Sequence, residues 1–219
     1  MPIKFIRKPN RLPFKEIYRT NNSFFVTLCV EGRVDIFGDV ENGELKFSST
    51  GNIVQETWLN LPNIFEHIVL GEFVVMPNHF HGIITFLDVP ISKFTGRDSD
   101  LSKIIKYFKS KITLQIKKLI VAEKLVSPLL NHCNPANSGA SVSSGELKFS
   151  STKNLIQNYK TIWQKSFYDH VIRNEQDLHR IQEYIYNNPL QWELDILNLK
   201  NDGKYQQWLK LKKKPVVDL

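Results

Sequence analysis

Cysteine is nearly absent from this chain of 219 residues, which contains only Cys29 and Cys133. The two lie far apart in the sequence and form no CxxC pair. This argues against a disulfide framework and against a zinc site built from cysteines. With so few cysteines, the expected location of the protein is a reducing cytoplasm.

Long apolar runs are missing as well. No stretch approaches the roughly 18 consecutive apolar residues that a transmembrane helix needs. The N-terminal run MPIKFIRKPNRLPFK lacks the apolar segment of a secretory signal. What remains is the composition of an ordinary globular protein, with 42% hydrophobic and 23% charged residues. We therefore expect a protein with its own core and no membrane partner.

Acidic residues are fewer than basic ones, which gives a formal net charge of +7 and an isoelectric point of about 9.3. The excess is clustered. Residues 1–20 hold six Lys and Arg against one Glu, residues 101–125 seven Lys against one Glu, and residues 200–219 six Lys against two Asp. One such cluster can be merely a solvated surface, but three of them favour a nucleic-acid partner.

The order of apolar patterns predicts one α+β domain over residues 23–195. Residues 23–30 have strand composition, and residues 31–47 carry glycines typical of turns or a small hairpin. A helix is predicted over residues 49–61, capped by one of three hydroxyl residues and closed by Pro62.

The second half of the predicted domain begins with a long basic helix over residues 100–125, whose apolar residues recur at spacings of three and four. Residues 127–158 are predicted to form a mobile linker, because the segment is rich in Ser, Asn, Gly and Pro. A basic arm (1–22) and a basic tail (196–219) flank the domain.

The chain is organised around the run FVVMPNHFHGIITF at residues 73–86. Its two apolar halves have strand composition, and Pro77-Asn78 between them is a turn signal, so we predict a tight hairpin. Side chains two apart on a strand share a face. His79 and His81 should therefore project together, and two adjacent imidazoles are good ligands for a divalent metal.

A second informative region covers residues 159–195. Asn174 is a good N-cap for a helix that Pro189 ends. Tyr184 and Asn188 are four residues apart, so they should lie on one face of this helix. The two histidines and the side-chain carbonyl of Asn188 could hold Mg²⁺ or Mn²⁺, and a tyrosine can act as a covalent nucleophile.

From the residues alone other assignments stay open. Tyr186 and Tyr107 compete with Tyr184 as the reactive tyrosine, and a helical tyrosine is more often a packing residue. The aromatic residues near the second region could stack on unpaired bases or fill the core; they are Trp163, Phe167, Tyr168 and Trp192. The histidine pair could also belong to a structural metal site.

The order strand, helix, hairpin, helix and a further element is compatible with a ferredoxin-like βαββαβ sandwich, an antiparallel sheet with helices on one face. Within this frame the sequence resembles a known family. The segment MPNHFHGII is similar to the histidine–hydrophobic–histidine signature of the HUH single-strand endonucleases. The segments SFFVTLCV, EFVVMPNHFHGII and WQKSFYDHVIRNEQDLHRIQEYIYNNPLQWELD resemble the REP-associated tyrosine transposases.

The resemblance implies a ferredoxin-like fold and a DNA nickase and strand transferase that depends on Mg²⁺ or Mn²⁺. Such an enzyme forms a 5′-phosphotyrosine and frees a 3′-OH on single-stranded DNA beside palindromic hairpins. It implies that Tyr184 is the nucleophile and that Asn188 joins His79 and His81 on the metal, where insertion-sequence relatives usually have Gln. His170 matches a family histidine and is an expected neighbour of the site. Relatives include monomers and homodimers.

Basic residues predicted to contact DNA come from the arm, from the long helix and from the loop before the last helix. They are Arg7, Lys8, Arg11, Lys103, Lys106, Lys109, Lys111 and Arg173. The alternative function is a protein derived from a transposase that binds DNA hairpins and has lost catalysis. Binding without cleavage would distinguish it from the nickase.

Overall fold

The computed structural model describes residues 22–87, 100–131, 162–195 and 198. The predicted arm and tail fall outside this part of the chain except for Asn22 and Asn198, as do residues 132–158 of the predicted linker. In the described part, no helix has the length and apolarity needed to cross a membrane.

Four strands form one antiparallel sheet. Strand β1 spans Ser23–Cys29, β4 spans Ile68–Met76, β5 spans His79–Phe86 and β6 spans Tyr168–Ile172. Their order in the sheet is β4-β5-β1-β6. A small hairpin of β2 (Gly38–Glu41) and β3 (Glu44–Phe47) forms a second, two-stranded sheet.

The helices are α1 (Ser49–Leu59), α2 (Leu61–Ile64), α3 (Asp100–Asn131) and α4 (Glu175–Asn187). In chain order, β1, α1, β4, β5, α3 and β6 form a βαββαβ unit. In the sheet, β5 and β1 are the central strands and β4 and β6 are the edge strands, as in a ferredoxin-like fold. The predicted fold class, α+β with an antiparallel sheet, is confirmed.

Two apolar layers sandwich the sheet. Helices α1 and α3 cover one face, where Trp58, Ile104 and Phe108 pack on the side chains of Phe24 and Phe80. Helix α4, which follows the βαββαβ unit, covers the other face with Ile181 and Ile185. The two helices of the unit thus share one face, as predicted, and an additional helix occupies the opposite one.

Several helix ends differ from the sequence prediction. Helix α1 begins at the Ser48 cap, whose Oγ accepts from the Gly51 N–H at 3.2 Å. It ends two residues early at Leu59, because Pro62 lies at the start of α2, where a proline's missing N–H is not needed. Helix α3 continues to Asn131, so the first residues of the predicted linker are helical.

Candidate active site

The histidine pair lies at the start of β5, directly after the two-residue turn of the β4–β5 hairpin. In the register of that hairpin, Met76 is opposite His79. Both imidazoles are fully buried, and their ring centroids are 4.7 Å apart. Phe80 points to the other layer and packs on Trp58. The alternation along an extended strand therefore places both histidines on one face of the sheet, as the sequence predicts, and α4 lies over that face.

Helix α4 brings Tyr184 to the same point. Its N-cap is Asn174, whose Oδ1 accepts from the Asp177 N–H at 2.8 Å, as predicted. The phenol Oη of Tyr184 lies 3.3 Å from His81 Nε2. Phe25 on β1 stacks on the His81 ring and meets the Tyr184 ring edge-on, so both rings are held by one aromatic side chain.

Asn188 lies one turn after Tyr184 and completes the set. It keeps helical φ and ψ of −58° and −45° although a proline follows, so the one-turn alignment with Tyr184 holds. The side chain is only 4% exposed. Among the described residues no group forms a hydrogen bond with its buried Oδ1.

Each histidine is anchored through Nδ1, which leaves Nε2 directed at the site. His79 Nδ1 lies 3.0 Å from Asn78 Oδ1, and His81 Nδ1 lies 2.8 Å from Thr27 Oγ1. Within the described part of the chain, the buried Nε2 of His79 has no hydrogen-bond partner. Anchoring one ring nitrogen so that the other is free to coordinate is typical of metal-binding histidines.

Burial keeps both imidazoles neutral. Loss of hydration lowers the pKa of His79 to about 4, although the charge of Asp195 opposes the shift. Burial also lowers the pKa of His81 well below its usual value, and the neighbouring His79 adds to this. A neutral imidazole is the form that coordinates a metal ion, so the site needs no deprotonation of these rings at neutral pH.

The Tyr184 phenol has the opposite problem. Burial raises its pKa above the ordinary value of 10, and the charge of Asp195 raises it further, while the Asn188 side-chain hydrogen bond lowers it. At the ordinary value only about one phenol in a thousand is ionised at pH 7, a deficit of roughly 4 kcal/mol. In this environment the deficit is larger, so a nearby positive charge is needed to form the phenolate.

Asp195 is a carboxylate that the sequence analysis did not select. It follows the 3-10 turn Trp192–Leu194, and its Oδ2 lies 3.9 Å from His79 Nε2. The separation is too long for a hydrogen bond. It places a negative charge beside the unpartnered nitrogen, where it would favour a bound cation.

These residues fit a divalent ion by the chemistry of their donors. Two buried acceptors, His79 Nε2 and Asn188 Oδ1, have no hydrogen-bond donor among the described residues, which is costly unless a cation or a water satisfies them. Across the described residues no cluster of three or more His, Cys, Asp and Glu side chains could hold a metal. The Asn188 carbonyl could supply a third donor beside the two imidazoles, with positions open for a substrate.

His170 lies on the same face of the sheet but is occupied elsewhere. In the register of β1 and β6 it is opposite Phe25. Its Nε2 lies 2.7 Å from Asp177 Oδ2, at the first turn of α4, whereas Tyr184 lies near the other end of that helix. The structure thus gives His170 a role in tying β6 to α4.

The predicted DNA-contacting lysines of α3 lie on the side of the sheet opposite to the candidate site. Helix α3 packs on the face opposite to His79, His81 and Tyr184. Lys106 and Lys111 are exposed there and Lys103 is half-buried. Arg173 is exposed just before α4, at the end away from Tyr184. Three further candidates, Arg7, Lys8 and Arg11, lie outside the described residues.

Lys109 contacts the segment before β6. Its Nζ donates to the carbonyl oxygens of Gln164 at 2.9 Å and Ser166 at 2.8 Å. Burial lowers its pKa to about 8. Two of the three N–H donors of Lys109 thus hold this segment, and its predicted phosphate contact stays a prediction.

The four candidate stacking aromatics are mostly core residues. Trp163 and Trp192 are buried, and Trp192 packs over the His79 ring with centroids 5.8 Å apart. Phe167 and Tyr168 are half-buried at the edges of the two layers. Tyr186, the rival nucleophile, is 81% exposed and points away from the site, and Tyr107 lies on the opposite face of the sheet.

Three residues of the site carried no usable signal in the sequence. Asn78 has the composition of a turn residue, Thr27 looks like an ordinary strand residue, and Asp195 lies at the predicted domain boundary. Thr27 and Asp195 matter through tertiary contacts with His81 and His79, and Asn78 matters through a side-chain contact with its neighbour His79. Their common clue would have been the histidines themselves, since metal-binding imidazoles need a partner for the second nitrogen.

The sequence is similar to that of a known protein. It is 30% identical over 182 residues to an uncharacterised protein of Haemophilus influenzae, covering 82% of this chain and 87% of that protein. The chain belongs to the family of this protein. No protein-family model matches the sequence.

Two solved structures are similar to the chain. One is a REP-associated tyrosine transposase bound to a REP hairpin, with 17% identity, a TM-score of 0.45, and coverage of 85% of this chain and 74% of that one. The other is a protein of Deinococcus radiodurans described as a transposase, with 12% identity, a TM-score of 0.37, and coverage of 83% and 97%.

Proposed function

We propose that the protein is a metal-dependent tyrosine transposase that nicks and rejoins single-stranded DNA beside palindromic hairpins. One observation carries the proposal. The phenol oxygen of Tyr184 lies 3.3 Å from His81 Nε2, next to two buried acceptors, His79 Nε2 and Asn188 Oδ1, that have no donor among the described residues. The resemblance of the HFH and YIYNNP segments to REP-associated tyrosine transposases supports the same assignment.

The proposed reaction exchanges one phosphoester for another. Tyr184 Oη attacks the phosphorus, the bond from phosphorus to the 3′ oxygen breaks, and the DNA 5′ end stays on the tyrosine. The phenol loses a proton and the leaving 3′ oxygen gains one, so the step is balanced without a cofactor being consumed. The reverse attack by a 3′-OH rejoins DNA and restores Tyr184.

The chain's own residues hold the reacting groups in place. Phe25 and the α4 backbone fix the phenol, and Thr27 fixes the ring of His81. His79, His81 and Asn188 would hold a Mg²⁺ or Mn²⁺ ion. Such an ion, when bound, would polarise a phosphoryl oxygen and lower the phenol's pKa. Because the imidazoles are already neutral, binding the ion requires no proton release from them.

The test is transfer of a label from DNA to protein. A single-stranded oligonucleotide with a palindromic hairpin is incubated with the protein and Mn²⁺. A label at the oligonucleotide's 3′ end should become covalently attached to the protein, and a label at its 5′ end should not. Tyr184→Phe should abolish the adduct and keep DNA binding, measured by fluorescence anisotropy.

Tyr186→Phe is the matched control, because it removes a hydroxyl from the same helix at an exposed position. This variant should form the adduct at the wild-type rate. An undiminished adduct in Tyr184→Phe would contradict the assignment of the nucleophile. Hairpin binding by the wild type with no adduct in either Mg²⁺ or Mn²⁺ would instead favour the catalytically silent DNA-binding protein.

A further inference from the structure

Asn78 is buried in the turn between β4 and β5, immediately before the first histidine. It is 1% exposed. Backbone hydrogen bonds fasten the turn to the segment after β1: the Val30 N–H donates to Asn78 O at 2.8 Å, and the Ile36 and Phe37 N–H groups both donate to Pro77 O at 2.9 Å. The amide of Asn78 therefore lies in a fixed frame.

Two acceptors determine which way this amide points. The Asn78 Nδ2 group donates to the carbonyl oxygen of Arg33 at 3.1 Å and to Asp35 Oδ1 at 2.9 Å. A carbonyl and an ionised carboxylate can only accept, so the NH₂ end of the amide must face them. The Oδ1 end consequently faces His79, and an amide oxygen can only accept a hydrogen bond.

The orientation of the amide has a consequence for the imidazole. His79 Nδ1 lies 3.0 Å from Asn78 Oδ1, so Nδ1 must carry the proton. In a neutral imidazole the other nitrogen is then an unprotonated acceptor. That nitrogen is the buried Nε2, which has no hydrogen-bond partner among the described residues.

Two contacts of His81 differ in kind from the amide contact of His79. Its Nδ1 contacts the hydroxyl of Thr27 and its Nε2 contacts the hydroxyl of Tyr184. A hydroxyl can donate or accept, so either tautomer of His81 satisfies these two contacts. The amide oxygen beside His79, in contrast, can only accept.

We propose that Asn78 is a positioning residue that fixes His79 in the Nδ1–H tautomer, so that Nε2 presents a lone pair to the candidate metal site. Asp35, Asn78 and His79 form a relay of carboxylate, amide and imidazole, which also polarises the ring and strengthens Nε2 as a ligand. The metal role of His79 belongs to the proposed function, so this inference rests on it.

The tautomer can be measured in the full-length protein without metal. Histidine labelled with ¹⁵N gives distinct signals for protonated and unprotonated ring nitrogens, and a His79→Gln variant identifies the signals of His79. In the presence of a chelator and above neutral pH, the wild type should show His79 protonated at Nδ1 alone. A His79 protonated at Nε2, or a mixture of both forms, would overturn the proposal.

Replacing the amide tests its effect on metal binding. Asn78→Leu removes the acceptor, so His79 should become a mixture of tautomers, and Mn²⁺ affinity should fall by about 10- to 100-fold. The fall is read from the electron paramagnetic resonance signal of free Mn²⁺. The matched control is Asn63→Leu, an exposed asparagine on α2, which should change neither signal.

A folded Asn78→Leu protein with the wild-type tautomer and wild-type Mn²⁺ affinity would also overturn the proposal. Should that variant fail to fold, the wild-type tautomer decides the proposal on its own. His79 protonated at Nδ1 alone supports it, and His79 protonated at Nε2 contradicts it. The tautomer does not depend on DNA cleavage, so failure to form the Tyr184 adduct would leave this result standing.

Discussion

At the scale of single residues, the carboxylate of Asp195 has opposite effects on the Tyr184 phenol and on a cation at the site. Burial and the charge of Asp195 both raise the pKa of the phenol, which opposes its ionisation. The same carboxylate, 3.9 Å from His79 Nε2, favours a cation at the neighbouring donors. The two effects would be compatible if a cation bound before the phenol ionised, because the cation's charge would offset the effect of Asp195 on the pKa of Tyr184.

Asp195→Asn should therefore weaken Mn²⁺ binding by at least about tenfold, or roughly 1.4 kcal/mol. Isothermal titration calorimetry of Mn²⁺ into the protein measures the change. Glu183→Gln is the control, because it removes the same charge from the exposed face of α4 next to Tyr184. Equal affinities in the two variants would show that Asp195 does not act on the ion.

Spacing along a strand and along a helix was enough to predict two pairs of residues at the site. His79 and His81 share a face because they alternate on a strand, and Tyr184 and Asn188 share one because they are one helical turn apart. Thr27 and Asp195 could not be selected this way, since each becomes part of the site only when distant segments pack together. Asn78 is the neighbour of His79 in the sequence, but its composition indicates only a turn.

At the scale of elements, α4 decides whether there is a site at all. The helix packs across β4 and β6 on the face that α1 and α3 leave uncovered, and this brings Tyr184 over the start of β5. The Asn174 cap and Pro189 predicted the ends of this helix, but they do not indicate which face of the sheet it covers. That choice depends on the tertiary packing of Phe25, Val74 and Ile83 against Ile181 and Ile185.

The segment before β6 is held by Lys109 of α3, so this lysine should affect stability. Lys109→Met leaves the Gln164 and Ser166 carbonyls without their donor, and we expect a loss of about 1–3 kcal/mol in the free energy of unfolding at pH 7. Denaturant unfolding measures the loss. Lys111→Met, an exposed lysine on the same helix, should change little.

The lowered pKa of Lys109 also predicts a pH dependence with a defined sign. Between pH 8 and 10.5 the unfolded chain keeps the Lys109 proton while the folded protein releases it. Stability contributed by this group should therefore rise with pH across that window, by about 3 kcal/mol in full. The advantage of the wild type over Lys109→Met should grow from pH 8 to 10.5; a constant difference would contradict the buried ammonium.

At the scale of the whole molecule, the sheet separates the candidate site from the exposed lysines of α3. The apolar spacings of residues 100–125 predict an amphipathic helix, and Lys106 and Lys111 are exposed on it. These spacings could not show that the helix lies on the opposite face of the sheet from Tyr184. DNA bound at the candidate site would have to pass around an edge of the sheet to contact these lysines.

Lys106→Gln combined with Lys111→Gln should therefore leave adduct formation on a short oligonucleotide unchanged. With a long hairpin, the slope of log affinity against log salt should decrease by about two, one for each lost phosphate contact. Anisotropy titrations at several salt concentrations give the slope. A loss of adduct on the short substrate would mean that DNA approaches the site from the α3 side.

The central claim is that Tyr184 becomes covalently linked to DNA, and peptide mapping tests it most directly. The adduct formed with a hairpin oligonucleotide and Mn²⁺ is digested with nuclease and protease and then fragmented by mass spectrometry. Tyr184 and Tyr186 are separated by one residue, and fragmentation between them distinguishes the two. We predict a 5′-nucleotide on Tyr184 alone; a nucleotide on Tyr186, Tyr107 or any other residue would contradict the assignment.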